Sequence, residues 1–229
     1  MYPETIQNFI DKFSRLPGVG PRQAARLAFW LLNGPKNRRE ELTKALESLD
    51  KDASVCSSCF FIIENLSAGR QVAGKQGCHF CDNPLRDRKI ICVVEKETDL
   101  ATIEKSGVYK GLYHVLGGLF SALDTAIPKN LKMPELIARI QKANMEKPRR
   151  SKEVGAPTSL EASVGVEEVI LALSPTHEGD LTAYYLEKSL KPLKVKITRL
   201  GRGLPYGSDV EFADAQTLSG ALESRKEIK

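Results

Sequence analysis

Two pairs of closely spaced cysteines constrain this chain more than any other feature of its sequence. Cys56-Ser-Ser-Cys59 is followed, after a gap of eighteen residues, by Cys78-His-Phe-Cys81. Each pair offers two sulfurs on one tight turn, and the intervening loop allows the two turns to meet around one ion. The sequence therefore predicts a tetrahedral zinc site with four thiolate ligands.

The number of thiolates favours a structural role for this zinc over a catalytic one. Four thiolates fill the coordination sphere and leave no open position for water. His79 lies inside the second pair and is an alternative ligand. Four ordinary thiols or a redox pair are the competing interpretations, and a redox motif needs only one Cys-x-x-Cys. A metal of this kind typically contributes on the order of 10 kcal/mol to the folding of a small module.

The remaining composition is that of a protein without a membrane segment. No apolar run approaches the roughly 20 residues of a membrane span, and no basic segment followed by an apolar stretch opens the chain. With four of five cysteines assigned to metal, we expect a reducing, cytoplasmic compartment, and Cys92 to be a buried thiol. The net charge of +5 permits an anionic partner such as nucleic acid without establishing one.

The first fifty residues have the pattern of three helices. Apolar residues recur at helical spacing before a turn rich in glycine and proline, residues 16–21, and a second helix is predicted from Pro21 to about Asn33. Glu40 to Leu49 is predicted to form a third amphipathic helix. The leucines expected to face inward on that helix are Leu42, Leu46 and Leu49.

The turn between the first two helices has the chemistry of an anion site. The backbone amides of Gly18 and Gly20, together with the N-terminus of the second helix, suit a phosphate group. Arg22 and Arg26 are four residues apart and share one helical face beside it. A plain helical hairpin with solvated arginines is the alternative. We favour a helix-hairpin-helix that binds the DNA backbone without reading its sequence.

An α/β pattern follows the cysteines. Lys89 to Glu95 is a continuous apolar run, typical of a strand buried on both faces of a parallel sheet, and Glu95 is placed where such sheets bind ligands. Further strands are predicted over residues 112–116, 169–173 and 194–198. Helices are predicted from Thr98, as N-cap, to Gly107 and over residues 134–143, 181–190 and 214–226. Residues 145–163 lack periodicity and are predicted to be a mobile insertion.

In the order of these parts, the chain resembles the bacterial RecR family of recombination mediators. The resemblance covers nearly the whole sequence and predicts an α+β multi-module fold with a mostly parallel Toprim sheet. The loop between the cysteine pairs is longer than is typical of the family, and the stretch over 145–163 looks like an insertion. The specific stretches are residues 16–21, the four cysteines, and residues 91–95, 113–118, 175–179 and 198–207. The expected modules are a helix-hairpin-helix DNA-binding domain over 1–53, a C4 zinc finger over 54–84, the Toprim domain over 85–194 and a C-terminal strand and helix segment over 195–229.

The resemblance also implies that the Toprim domain is not an enzyme. Toprim domains of topoisomerases and primases hold Mg²⁺ with a glutamate after the first strand and an Asp-x-Asp pair after a later strand. Here Glu95 matches the glutamate, whereas Ser174 and Thr176 occupy the aspartate positions. Neutral hydroxyls are poor ligands for a hard dication, so we expect most of the metal affinity and the associated catalysis to be lost.

What the family implies about partners is equally specific. Its Toprim domain contacts the RecO protein, RecF is a further partner, and several subunits form a dimeric or tetrameric ring that encircles DNA and helps load recombinase on single strands. Arg22 and Arg26 match basic DNA-contacting positions, and Glu95 and Glu178 are assigned to partner binding. We therefore expect a DNA-repair protein associated with the nucleoid.

Two other functions remain open on the sequence alone. A metal-dependent nuclease, primase or topoisomerase can be built if Glu95, Glu178 and Asp180 form an alternative acidic cluster, although the last two also suit a helix N-terminus. A zinc-containing scaffold with no DNA role is the third possibility. His114 is predicted to pack in the core or at an edge of the sheet, and His177 to lie at the surface or in a functional site.

Overall fold

A computed structural model describes residues 2–64, 78–121, 128, 130–145, 165–225 and 227 of the chain. The chain divides into two compact units, Met1–Ala53 and Ser54–Lys229. The first unit contains the helices α1, Glu4–Phe13, α2, Pro21–Leu32, and α3, Lys36–Lys51. The predicted insertion over 145–163 and most of the loop between the cysteine pairs lie outside the described residues, apart from Met145 at a helix end.

The N-terminal unit has a small core, which lies between its first two helices, α1 and α2. Ile10 on α1 and Ala24, Ala28 and Leu31 on α2 are its buried apolar residues. The second helix begins at Pro21 as predicted, because a proline at the first helical position gives up an N–H that would lack an acceptor in any case.

The prediction for the third helix is partly wrong. It begins at Lys36, not Glu40, and buries no residue. Leu42, Leu46 and Leu49 expose 39%, 54% and 68% of their surface instead of facing inward. The period of a helix shows which residues share a face, but it does not show that the same chain covers that face.

The second unit is built around a four-stranded parallel sheet. Its strands are β3, Asp87–Val94, β4, Gly111–Val115, β5, Glu168–Ala172, and β6, Lys196–Arg199, in the spatial order β4-β3-β5-β6. Two short strands, β1, Ala53–Val55, and β2, Ile62–Glu64, form a separate sheet beside the first cysteine pair. The helices of this part are α4, Glu97–Ser106, α5, Met133–Met145, α6, His177–Leu190, and α7, Ala215–Glu223.

Successive residues of the central strand face two different cores. Ile91 and Val93 point to a core formed with α5 and α6, whereas Cys92 and Val94 point to a core that includes the cysteine pairs and Leu100 of α4. Cys92 is buried, as predicted. The sheet is therefore apolar on both faces, which explains the continuous apolar runs of its strands.

The ends of two helices, α4 and α7, can be compared with the sequence prediction. The N-cap of α4 is Lys96, not Thr98, because the Asp99 carboxylate accepts a 3.1 Å hydrogen bond from the Lys96 amide and starts the helix earlier. Gly107 ends the helix in the left-handed conformation, with φ 71°, as predicted. At the C-terminus Asp214 caps α7.

Candidate functional site

The four cysteines predicted to bind metal meet in one cluster. The Sγ atoms of Cys56, Cys59, Cys78 and Cys81 all lie within 4.8 Å of one another, and three of the four residues are buried. Cys59 and Cys78 approach to 3.5 Å between sulfurs, and Cys56 and Cys81 to 3.9 Å. Within the described residues this is the one group of three or more His, Cys, Asp or Glu side chains that can hold an ion.

Local backbone structure places the sulfurs. The amide of Ser58 donates to Cys56 Sγ and the amide of Cys81 donates to Cys78 Sγ, both at 3.4 Å. After the first pair, Phe60 adopts a left-handed conformation, with φ 62°, which turns the chain back so that the Cys56 amide reaches the Phe61 carbonyl. Both cysteine pairs thus form tight turns whose amides point at sulfur.

The donor set fits a tetrahedral ion that prefers sulfur. Amide hydrogen bonds to sulfur stabilise thiolates, the form in which cysteine binds metal. Hydrogen bonds among the four sulfurs lower the pKa of Cys56 and raise the pKa values of Cys59 and Cys81. His79, the alternative ligand, is exposed and does not join the cluster. Four converging thiols without a carboxylate suit a structural Zn²⁺ or a similar soft ion.

Hydrogen bonds connect the cysteine cluster to strand β4 and to helix α5. The Val115 amide of β4 donates to the Cys59 carbonyl at 2.8 Å. Arg139 of α5 donates to the Tyr113 carbonyl at 2.7 Å and to Cys81 Sγ at 3.8 Å. Sequence reasoning missed Arg139, because a single arginine between apolar helix positions gives no sign that its guanidinium reaches a distant cysteine. The cysteine cluster is therefore part of the core on one face of the sheet.

Glu95 lies at the carboxyl end of β3, as predicted, but it exposes only 7% of its surface. Its carboxylate accepts a hydrogen bond from the Ser174 hydroxyl at 3.1 Å and pairs with Lys96 at 2.8 Å. The amides of Gly117 and Gly118 donate to its backbone carbonyl. The serine that stands at an expected aspartate position thus donates a hydrogen bond to Glu95, where a second carboxylate would repel it.

Residues after β5 form the start of α6 and not a second acidic ligand group. The Thr176 hydroxyl accepts from the Gly179 amide at 3.1 Å and caps the helix. A Cβ on Gly179 would lie 1.9 Å from the Ser174 carbonyl oxygen, so only glycine lets the helix begin this close to the strand. Glu178 is exposed in the first turn of the helix.

Asp180 forms ion pairs with two arginines of its own unit. Arg199 donates to its Oδ1 at 2.7 Å, and Arg202 donates to the same oxygen. The Arg202 guanidinium, and then that of Arg199, hold the Asp180 pKa below its ordinary value. Glu95, Glu178 and Asp180 do not come together in the described structure as a group able to hold a metal ion.

The turn between α1 and α2 has a more specific geometry than its sequence implied. Gly18 has φ 77°, a conformation that side chains rarely adopt, whereas Gly20 is extended and has open space where a Cβ would lie. The Gly20 amide donates to Gln23 Oε1 at 3.2 Å. A phosphate at this amide would have to displace the Gln23 side chain, while the Arg22 and Gln23 amides at the helix start lack intrahelical acceptors.

The two arginines after the turn are exposed. Within the described residues, neither Arg22 nor Arg26 forms an ion pair. They belong to a stretch, residues 12–39, that holds seven lysines and arginines and no aspartate or glutamate. Within the described part of the chain, no lysine or arginine of this basic segment forms an ion pair.

The two remaining histidines differ in environment. His114 is fully buried and its Nε2 lies 2.8 Å from the Lys132 carbonyl, which confirms the prediction of core packing, and burial lowers its pKa to about 4. His177 is exposed at the start of α6. None of the helices in the described part of the chain has both the length and the apolar character required to cross a membrane.

Comparison with known proteins agrees with the module order. Residues 6–49 match the model of the RecR helix-hairpin-helix, residues 89–201 match the Toprim domain, and residues 203–226 match the RecR C-terminal region. A recombination protein RecR from Roseiflexus castenholzii is 38% identical over 226 residues, 99% of this chain and 95% of the relative. Its namesake from Chlorobium chlorochromatii is 42% identical over 220 residues, 96% of this chain and 95% of that protein.

Proposed function

This chain belongs to the RecR family of recombination proteins, and on that premise we propose that it acts in DNA recombination and repair as a non-enzymatic DNA-binding mediator. It would hold DNA through its hairpin, without reading sequence, and recruit other proteins through its Toprim domain. The observation that carries the proposal is that Arg22 and Arg26, beside the glycine turn, are exposed and form no ion pair with described residues.

The physical argument for DNA rests on charge and access. Backbone amides at a helix start and guanidinium groups on the adjoining face are the ordinary contacts for phosphate oxygens. The Gln23 side chain accepts from the Gly20 amide, but the open space at the Cβ position of Gly20 leaves room for a phosphate to approach the amides at the helix start. Because such contacts touch no base edges, affinity would depend on salt more than on sequence.

A pair of matched variants tests this interface. We expect Arg22→Glu/Arg26→Glu to lose most DNA affinity in a fluorescence anisotropy titration, because it reverses the charge of two phosphate contacts. Lys142→Glu/Lys188→Glu changes two exposed lysines of the other unit by the same net charge and should bind nearly as wild type does. Equal losses in the two variants would show that only net charge matters and would remove the hairpin from the proposal.

Gly20→Ser provides a second test that leaves charge unchanged. Serine is a good N-cap residue and the φ of −82° at this position suits it, so folding should be preserved. Its side chain would occupy the space through which a phosphate reaches the turn. Weaker binding with an unchanged melting temperature supports close approach of the phosphate, and unchanged binding counts against it.

The proposal that the Toprim domain makes and breaks no bonds is supported by the surroundings of Glu95. Both carboxylate oxygens have internal partners, Ser174 and Lys96, and Asp180 is paired with two arginines. The competing function is a Mg²⁺-dependent nuclease or topoisomerase. Cleavage or relaxation of DNA in Mg²⁺ or Mn²⁺ that is abolished by Glu95→Gln would establish that competitor and overturn the non-enzymatic proposal.

We further propose that the bound metal is Zn²⁺ and that the partner proteins are RecO-like and RecF-like. Glu178, exposed at the carboxyl end of the sheet, offers its carboxylate to such a partner, whereas the buried Glu95 would act by shaping this edge. Glu178→Arg should weaken binding of a RecO-like protein in a pull-down and leave DNA affinity unchanged. Loss of both would indicate a general folding defect.

We also propose that several copies of this chain form a ring that encircles DNA. This ring would support the loading of recombinase on single strands. Its support is the exposed leucine face of α3, formed by Leu42, Leu46 and Leu49, which suits a second copy of the chain. Sedimentation at micromolar concentration should show a dimer or tetramer, and Leu46→Glu/Leu49→Glu should shift it towards monomer. We place this activity in the cytoplasm, at the nucleoid.

A further inference from the structure

The exposed face of α2 continues beyond the two arginines to an aromatic side chain. Arg22, Arg26 and Trp30 follow one another at intervals of four residues, which places them in one row along the helix, with about 6 Å of rise between neighbours. Trp30 is the single tryptophan of the chain and exposes 55% of its surface. The row therefore joins two cations to one large aromatic ring.

The packing of the N-terminal unit does not account for this tryptophan. The buried residues of α2 are Ala24, Ala28 and Leu31, which lie on a different side of the helix. A tryptophan selected for the core would bury its ring, because removal of that large apolar surface from water is the source of its contribution. An exposed ring in a row of cations instead has the composition of a surface that binds nucleic acid.

A neighbouring cation holds the indole in place. The Arg38 guanidinium carbon lies 4.0 Å from the ring centroid, and its Nη1 donates to the Trp30 carbonyl at 3.2 Å. This stacked contact orders the ring without burying it. Arg38 also belongs to the basic segment, residues 12–39, in which no acidic side chain competes with a phosphate.

We propose that Trp30 stacks on an unpaired base of single-stranded DNA whose backbone is held by Arg22 and Arg26. The faces of bases inside a duplex are covered by their neighbours, so an indole ring gains access to a base only in a single strand. Stacking of this kind tolerates every base, which agrees with binding that does not read sequence. The inference rests on the proposed DNA-binding function and assigns a strand form to it.

The tryptophan itself reports the contact, because no second indole contributes to the emission. Titration of the full-length protein with an oligothymidylate should quench Trp30 fluorescence, and a duplex of equal length should quench it much less. Anisotropy with a labelled oligothymidylate then measures affinity in the variants. Trp30→Ala should bind single strands roughly 5- to 150-fold more weakly, the range expected for loss of one stacked base, while duplex affinity changes little.

Two control variants separate stacking from other roles. Trp30→Phe retains an aromatic ring and should recover most of the single-strand affinity. Leu32→Ala removes a side chain of similar exposure, 54%, from the same helix and should have no effect. Equal loss of single-strand and duplex affinity in Trp30→Ala, or a change in its sedimentation coefficient, would overturn the inference by assigning the ring to folding or to a contact between copies.

The outcomes also distinguish this inference from the proposed function. If the wild-type protein binds oligothymidylate without any change in Trp30 emission, and Trp30→Ala binds equally well, stacking is wrong while DNA binding stands. If the wild-type protein binds neither single strands nor duplex at low salt, the proposed function fails, and the stacking inference fails with it.

Discussion

The two units of this protein differ in the surroundings of their arginines. Among the described residues of Ser54–Lys229, the guanidinium groups have partners within the unit: Arg86 pairs with Glu104, Arg199 with Asp180, and Arg139 reaches a carbonyl and a cysteine sulfur. In Met1–Ala53, Arg38 donates to the Trp30 carbonyl, but Arg22 and Arg26 are exposed and form no ion pair with described residues. The described arginines of the sheet unit therefore have partners in their own fold, whereas Arg22 and Arg26 of the hairpin unit are available to an external ligand.

The same contrast applies to apolar side chains. The sheet unit buries residues on both faces of its strands, including three of the four clustered cysteines. The hairpin unit buries Ile10, Ala24, Ala28 and Leu31 and leaves the leucines of α3 exposed. The sheet unit therefore has the larger buried core, whereas the hairpin unit leaves more of its apolar side chains exposed.

The largest effect on stability is expected when one of the four clustered cysteines is replaced. We expect Cys59→Ser to lose the proposed Zn²⁺ and to lower the melting temperature strongly, because metal binding of this type contributes on the order of 10 kcal/mol. Cys92→Ala is the matched control, since its thiol is buried in the same core without joining the group of four converging sulfurs. Metal content by mass spectrometry and scanning calorimetry measure both effects. A Cys59→Ser protein with full zinc content and unchanged melting would refute the structural metal site.

The second-largest difference is expected in the free energy of unfolding when a leucine is replaced in each of the two units. Leu136→Ala empties a fully buried position under the sheet and should reduce the free energy of unfolding by about 2–5 kcal/mol. Leu46→Ala, at an exposed position of α3, should change it by less than about 0.5 kcal/mol in a dilute, monomeric sample. Urea denaturation measures both. Similar losses at the two sites would mean that the hairpin unit has a core of its own comparable to that of the sheet.

Arginine substitutions test whether arginines of the two units differ in their contributions to stability and to DNA binding. Arg139→Met leaves the Tyr113 carbonyl without its donor and should cost about 1–3 kcal/mol of stability with no change in DNA affinity. Arg26→Met should do the reverse, with unchanged stability and weaker DNA binding. Paired chemical denaturation and anisotropy titrations test both variants. Loss of stability in Arg26→Met would place its guanidinium in the fold.

The smallest predicted effect concerns Asp180 and pH. Because its folded pKa lies below its ordinary value, its interaction with the two arginines is fully present above about pH 5 and disappears as the pH falls through the folded pKa. Its carboxylate is half exposed, so Asp180→Asn should cost less than about 1 kcal/mol at neutral pH. The difference between wild type and variant should vanish in strong acid, as followed by urea denaturation. A difference that grows in acid would contradict the assignment.

Some features of the fold and the site could be predicted because local sequence determines them. The spacing of Cys56, Cys59, Cys78 and Cys81 predicts the cluster, and uninterrupted apolar runs predict the buried parallel strands. The position of Glu95 at a strand end followed directly from its strand. These features require only the two-residue repeat of a strand or the geometry of one tight turn.

Other features depend on contacts between distant segments and left no local signal. The Arg139 contact with Cys81 spans 58 residues. The pairing of Ser174 with Glu95 joins two strand ends that are remote in sequence. At the hairpin, capture of the Gly20 amide by Gln23 is local, but a glutamine at this position has several equally plausible partners. Tertiary packing selects among them.

The salt dependence of DNA affinity tests the central claim most directly, because each phosphate contact contributes a fixed share of its slope. Neutralising both arginines, in Arg22→Gln/Arg26→Gln, should make the slope of log affinity against log salt concentration shallower by about 1.8 on duplex DNA and about 1.4 on single strands. Lys142→Gln/Lys188→Gln should leave the wild-type slope unchanged. Identical slopes for wild type and the arginine variant would show that these two guanidinium groups do not hold DNA.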